Sequence, residues 1–172
     1  MMKTWKSIMN PKTLVSMSNA IVRAADVMVT DLITLNITES MDKAEAIFKQ
    51  HKIHHIPIVD NEGCLLGVVG TSDLNKILHG KTLFKSQNVE AYNDALLRTL
   101  LVSEVMVENP VVVEADQPLS DVIDLFKQNL FRSIPVVTNK KAVGIITPID
   151  LIKVLEKCNE LGLVQAAIEQ KA

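Results

Sequence analysis

The feature that most constrains this chain is that it is written twice. VMVTDLITLNITESMDKAEAIFKQHKIHHIPIVDN, from Val27, lies above VMVENPVVVEADQPLSDVIDLFKQNLFRSIPVVTN, from Val105, without a gap at a constant offset of 78. One residue then drops out near Glu62, and GVVGTSDLNKIL from Gly67 falls on GIITPIDLIKVL from Gly144, so that Gly, Asp, Leu, Lys and Leu coincide. Self-similarity of this length means one supersecondary unit used twice, and any fold for the chain must be built from two copies of it.

Each copy carries the same order of signals. A short β-branched run (Ile33 to Leu35, Val111 to Val113) precedes a polar turn and an apolar stripe at helical spacing. The stripe is Met41, Ala44, Ile47 and Phe48 in the first copy and Leu119, Val122, Leu125 and Phe126 in the second. Strand, then amphipathic helix, is expected. Two further strands follow, HIPIVD with CLLGVVG and SIPVVT with AVGIIT, joined by turn signals at Asn61-Glu62-Gly63 and Asn139-Lys140-Lys141. A closing helix is expected from about Thr71 to His79 and from Pro148 to Lys157.

The unit is thus β-α-β-β-α, and its sheet is too small to bury both apolar faces alone, so the two copies are expected to pack together in an α+β fold. The chain divides into an N-terminal helical extension (1–24), a first repeat (25–79), a connector (80–103), a second repeat (104–157) and a tail (158–172). Helices are expected from Thr13 to Ala25 and from Tyr92 onward in the connector, and the closing helix continues past Glu156. These flanking pieces are candidate partner or dimer surfaces.

Composition excludes several classes. In 172 residues, 48% are apolar but only 3% aromatic, so the core is built from Val, Ile, Leu, Met and Ala, without broad stacking platforms for bases. Eighteen basic against 20 acidic side chains give a net charge of −2, which disfavours a dedicated nucleic-acid binder. Cys64 and Cys158 stand far apart with no C-x-x-C spacing, and no signal peptide is evident, so reduced thiols and a cytoplasmic location are expected. Apolar runs fall far short of the roughly 20 residues a membrane-spanning helix needs, so no membrane insertion is expected. No G-x-S-x-G elbow, Walker A run or G-x-G-x-x-G turn is present, and no enzyme activity is expected.

Two short stretches carry candidate chemistry. Thr147-Pro148-Ile149-Asp150 places Thr at an N-cap, Pro at the first helical position and an acidic residue at N3, a close relative of the capping box. The same carboxylate, held at a helix start, is an ordered acceptor for two adjacent hydroxyls such as a ribose diol. Ile145 and Ile149 could wall a purine or belong to the core. Asp73 pairs with Asp150 in the alignment, but each carboxylate is explained by its own helix start rather than by two-carboxylate catalysis.

HKIHHIPIVD gathers His51, His54 and His55, three of the chain's four histidines. His51 continues the stripe of Ala44, Ile47 and Phe48, so a packing role near the buried edge of the helix is expected for it. The spacing lacks the geometry of H-E-x-x-H and no further ligand is in view, which disfavours a metal. The equivalent residues in the second copy are Asn129, Arg132 and Ser133, so what the copies share is a nitrogen donor just before h-P-h-V. Solvated residues at a helix-to-strand turn explain that as well as a ligand would.

The tandem β-α-β-β-α order, V-M-V at the opening, h-P-h-V before the middle strand and G-h-h-T-x-x-D at the close resemble a pair of cystathionine-β-synthase (CBS) domains, a Bateman module, over Ala25 to Leu155. The resemblance implies two repeats about a pseudo-twofold axis, clefts between them that bind adenosine-containing ligands, and pairing into homodimers. It implies ribose contacts from Thr147 and Asp150 and phosphate contacts from Arg132 and from His54 or His55. The full ligand set it implies is Thr34, His54, His55, Pro57, Thr71, Ser72 and Asp73 in the first repeat. In the second it is Val112, Arg132, Ser133, Pro135, Ile145, Thr147, Ile149 and Asp150.

In the first repeat Gly70 stands where the family has Thr or Ser, with Thr71 and Ser72 one and two places late, so that corner is expected to be weaker, altered or empty. The function implied is a regulatory module without catalysis, without cofactor or metal, that binds AMP, ADP or ATP ahead of S-adenosylmethionine and acts on a partner protein in trans. A structural dimer with no ligand is the alternative. A metal-dependent hydrolase built on the histidines is a third reading.

Overall fold

A computed structural model describes residues 22–79 and 89–160. Helix α1 (Ala24–Val27) leads into strand β1 (Leu35–Asn36), helix α2 (Met41–His51), strands β2 (His55–Val59) and β3 (Leu65–Gly70) and helix α3 (Thr71–His79). The connector forms α4 (Val89–Thr99) and a 3-10 turn (Val102–Glu104). The order then recurs as β4 (Val107–Glu108), β5 (Val113–Glu114), α5 (Leu119–Lys127), β6 (Ile134–Thr138), β7 (Lys141–Ile146) and α6 (Pro148–Glu160). The expected helix from Thr13 to Ala25 lies outside the described residues as far as Ile21, and the tail beyond Glu160 lies outside them too.

The opening strands fall later than the β-branched runs suggest: Leu35 is the only residue of Ile33–Leu35 in β1, and Val113 the only one of Val111–Val113 in β5. Pairing decides this rather than propensity. β1 lies parallel to β2 with Leu35 opposite Ile58, and β5 parallel to β6 with Val113 opposite Val136. Asn36 then ends β1 by accepting the Thr38 N–H at its Oδ1, 3.1 Å away, an Asx turn that turns the backbone aside.

The middle strands form hairpins as expected. Gly63 supplies φ of +83° in the first turn, where the Asp60 carboxylate also accepts the N–H groups of Glu62 and Cys64. In the second, Asn139 and Lys140 both take positive φ (51° and 66°), the two-residue arrangement that matches strand twist.

The compact units do not follow the linear repeats. Of the described residues, one unit comprises those within Asp31–Val111 and Asn139–Ala142, the other those within 22–30, Val112–Thr138 and 143–160. The lead-in of each repeat has therefore gone to the unit of the other. In the first unit β4, from the second lead-in, pairs antiparallel with β3 to complete a sheet of order β1-β2-β3-β4. In the second unit the sheet β5-β6-β7 receives Val29 from the first lead-in, bridged to Ile145 by two hydrogen bonds of 2.9 and 3.1 Å.

The exchange repeats bond for bond. Val102 N–H donates to Glu39 O and Ala24 N–H to Gln117 O. Met41 N–H donates to Leu100 O and Leu119 N–H to Val22 O, both at 2.8 Å. Each helix start thus has the first of its orphan donors met by the segment that leads into the other repeat. Each core is completed the same way. Leu35, Met41, Ala44, Phe48, Ile56, Ile58, Val69, Leu74 and Leu97 close around Val102, while Val113, Val122, Ile134, Val136 and Ile146 close around Ala24. Leu97 makes α4 part of the first core, so only the outer face of the connector helix, with Tyr92, is exposed.

The opening methionine of each repeat explains the glycine of the closing strand. A β-carbon on Gly67 would stand 2.9 Å from Met106 Cγ and 2.9 Å from Val107 O, and one on Gly144 would stand 2.7 Å from Met28 Cγ. Gly67→Ala and Gly144→Ala are each expected to cost about 1–3 kcal/mol by overpacking, read as a shift of about 2–4 °C in melting temperature per kcal/mol. Met28→Ala added to Gly144→Ala, and Met106→Ala added to Gly67→Ala, should each recover only part of the loss, because Met28 Cβ and the Val107 carbonyl, both 2.9 Å from the new β-carbon, stay in place. Full rescue, or none, in either pair would contradict this account.

Candidate functional site

The closing strand of each unit runs straight into its last helix, and a carboxylate at the third helical position holds the junction. In α6 the Oδ2 of Asp150 accepts the Thr147 N–H at 3.0 Å and the Thr147 hydroxyl at 2.6 Å. Its Oδ1 accepts from Lys153 Nζ at 3.0 Å. Asp150 is only 7% exposed and is the one buried charged residue among those described. Half of a capping box is present, with the N3 carboxylate accepting the N-cap amide, but the Thr hydroxyl donates to that carboxylate rather than accepting from the N3 amide.

Each carboxylate oxygen offers two acceptor directions, so Oδ2 is filled and Oδ1 keeps one open beside the Lys153 ammonium. Lys153 is well exposed, and such an ion pair is held weakly and opens readily. The corner is therefore a fixed carboxylate with a fixed hydroxyl, chemistry suited to a vicinal diol.

The first repeat builds the same corner with one part missing. Asp73 Oδ2 accepts the Gly70 N–H at 3.0 Å and Oδ1 accepts from Lys76 Nζ at 2.9 Å, with no hydroxyl at position 70. Thr71 and Ser72 are the first residues of α3, Ser72 exposed, and the Thr71 N–H donates to His54 O at 3.0 Å. His55 is the register partner of Gly70. His54, His55, Gly70, Thr71, Ser72 and Asp73 thus meet at one end of the sheet. Pro57 is buried two residues along β2, opposite Val68, and Thr34 is exposed just before β1.

In the other unit the β6–β7 hairpin brings Arg132 and Ser133, immediately before β6, to the end where β7 gives way to Thr147. Arg132 is exposed and Ser133 half-buried. Pro135 is buried within β6, and Val112 is exposed just before β5. Ile145 is half-buried against the bridge to Val29, and Ile149, 54% exposed, projects from the first turn of α6.

His51 does not pack as expected: it is exposed. It is the last residue of α2, and Lys52 turns into the left-handed region (φ 54°), so the chain leaves before anything covers that face. Among the described residues no group of three or more His, Cys, Asp or Glu is placed to hold a metal ion. No helix among them is long and apolar enough to cross a membrane.

Two features of the corners escaped the sequence reading. One is the ion pair of each aspartate with the lysine three residues on, a lysine that coincides in the alignment as D-L-N-K over D-L-I-K. The other is the lead-in strand, Val107 beside β3 and Val29 beside β7, which only the opening V-M-V of both copies signals.

Comparison with known proteins places this architecture. The CBS domain family matches residues 24–80 and 102–157. A CBS domain-containing protein of Dictyostelium discoideum is 31% identical over 134 residues, covering 77% of this chain and 90% of that protein. The CBS domain pair of protein MJ0100, solved in complex with 5′-methylthioadenosine and S-adenosyl-L-methionine, superposes with a TM-score of 0.63 at 26% identity, covering 79% of this chain and 97% of that one. CBSX2, solved in complex with AMP, gives a TM-score of 0.65 at 24% identity over 80% of this chain and 98% of that one, a likeness of fold. With both repeats matched in sequence and the same fold recurring in solved CBS pairs, the chain belongs to the CBS domain family.

Proposed function

We propose that this CBS pair is a regulatory module that binds an adenosine-containing nucleotide, of the AMP, ADP or ATP type, at the Thr147–Asp150 corner. The observation that carries the reading is the Asp150 carboxylate, buried at 7% exposure and fixed by the amide and hydroxyl of Thr147, with one acceptor direction still open. Adenosine-containing ligands in the MJ0100 pair, at 26% identity, support it. Arg132, exposed at the same end of the sheet, supplies a permanent charge able to grip phosphate bidentately. The role proposed for the corner is binding rather than catalysis. Ligand binding regulates by population shift, through its difference in affinity for two arrangements of the chain, and is passed to a partner protein or a second copy in trans.

Calorimetric titration with AMP, ADP, ATP and S-adenosylmethionine tests this. Asp150→Ala is expected to weaken binding at least tenfold, about 1.4 kcal/mol. Thr147→Val, which keeps the shape and removes the hydroxyl, should weaken binding and lower stability by about 1 kcal/mol as a lost cap. Thr147→Ser should preserve both. If all four compounds fail to bind the wild-type chain, or if Thr147→Val and Asp150→Ala change stability alone, the corner is a helix cap and nothing more.

A further inference from the structure

Of the differences between the corner of the first repeat and that of the second, two fall on positions that face each other across a strand pair in the first. Where the second has Ser133 and Thr147, the first has His55 and Gly70. His55 and Gly70 are register partners on β2 and β3. Gly70 has no positive φ, so the backbone there does not call for glycine. What distinguishes the position is space. A β-carbon on Gly70 would stand 3.5 Å from His55 Cδ2 and 3.3 Å from both Asp73 Oδ2 and Ser72 Oγ. The γ-atoms of a threonine reach about 1.5 Å beyond that carbon, into volume whose edge the imidazole already holds.

We infer that His55 and Gly70 are a compensating pair that closes the first corner to a ribose, so that the chain takes up one nucleotide, at Thr147 and Asp150. The inference rests on the nucleotide-binding reading of that second corner. An imidazole stands where the second repeat has a serine hydroxyl, and a glycine stands across the strand pair from it, where a β-carbon would already be in contact with the ring and the γ-atoms of a threonine would reach further into the same space. Asp73 keeps its place, its Oδ2 on the Gly70 amide and its Oδ1 on Lys76, but the hydroxyl that completes a diol site is gone. Neither change alone restores the corner. Gly70→Thr sets a branched side chain against the imidazole, and His55→Ser leaves the hydroxyl of position 70 missing.

The test is titration with AMP and with S-adenosylmethionine of the wild-type chain and of Asp150→Ala, His55→Ser/Gly70→Thr, each of the latter singly, and the triple variant. One equivalent is expected for the wild type, none for Asp150→Ala, two for the His55/Gly70 double variant and one for the triple. Neither single variant should gain a site. Two equivalents on the wild-type chain, with one lost in Asp73→Ala, would overturn the inference and leave the reading of Thr147–Asp150 standing. A wild-type chain that takes up neither compound sinks both. A triple variant without binding, while the double variant keeps its original equivalent and melts cooperatively, would show that the pair does not govern access. So would gain of the second site by either single variant.

Discussion

The structure depends on the packing of two methionine side chains against two bare backbones. Met106 lies against Gly67 and Met28 against Gly144, and each contact seats a lead-in on a sheet that belongs to the other repeat. The lead-ins give the first sheet its outer strand β4, give β7 its bridge to Val29, and give α2 and α5 the carbonyl that meets the first amide. Methionine suits this because its unbranched thioether fills a shallow gap closely. The dispersion gained is modest per atom and large in sum. The remaining core, mainly aliphatic residues on the faces of short strands and two helices, then closes around Ala24 and Val102 as fully buried centres.

The same exchange positions the chemistry. The strand that ends at Thr147 is held on one side by β6, which brings Ser133 and Arg132 level with it, and on the other by Val29. Asp150 is fixed by its own helix start rather than by long-range contacts, so the carboxylate is preorganised by local bonds while its surroundings come from distant parts of the chain. Burial of a charge is tolerated because three donors meet it. Residues that set a site by local geometry and residues that wall it from elsewhere have different signals in a sequence.

That difference accounts for what could be read from the chain alone. The gapless repeat, the order of elements, the hairpin turns and the Thr147–Asp150 helix start rest on local period, turn chemistry and capping, and all are present. β1 and β5 fall late because ladder partners, not β-branching, choose where a two-residue strand pairs. His51 sits on the apolar period yet is exposed, because periodicity says which way a side chain points and not whether the helix lasts long enough to be covered there. The exchange of lead-ins leaves no mark in either copy. Repeats this alike pair equally well with themselves or with each other on paper.

Borrowed lead-ins also set the order in which the chain can be finished. Ala24 is among the first of the described residues to leave a ribosome, yet its hydrogen-bond acceptor, Gln117, lies 93 positions on, and Val29 waits for Ile145. The unit with Val102 is complete once that lead-in emerges, apart from the Asn139–Ala142 turn that borders Cys64. The other must hold Ala24 unpaired until Gln117 is made and Val29 until Ile145 is made. Long-range closures of this kind slow folding through the entropy of the loop they close. The Thr147–Asp150 corner, at the far end of β7, therefore stands on a strand that gains its Val29 neighbour only after Ile145 has been made.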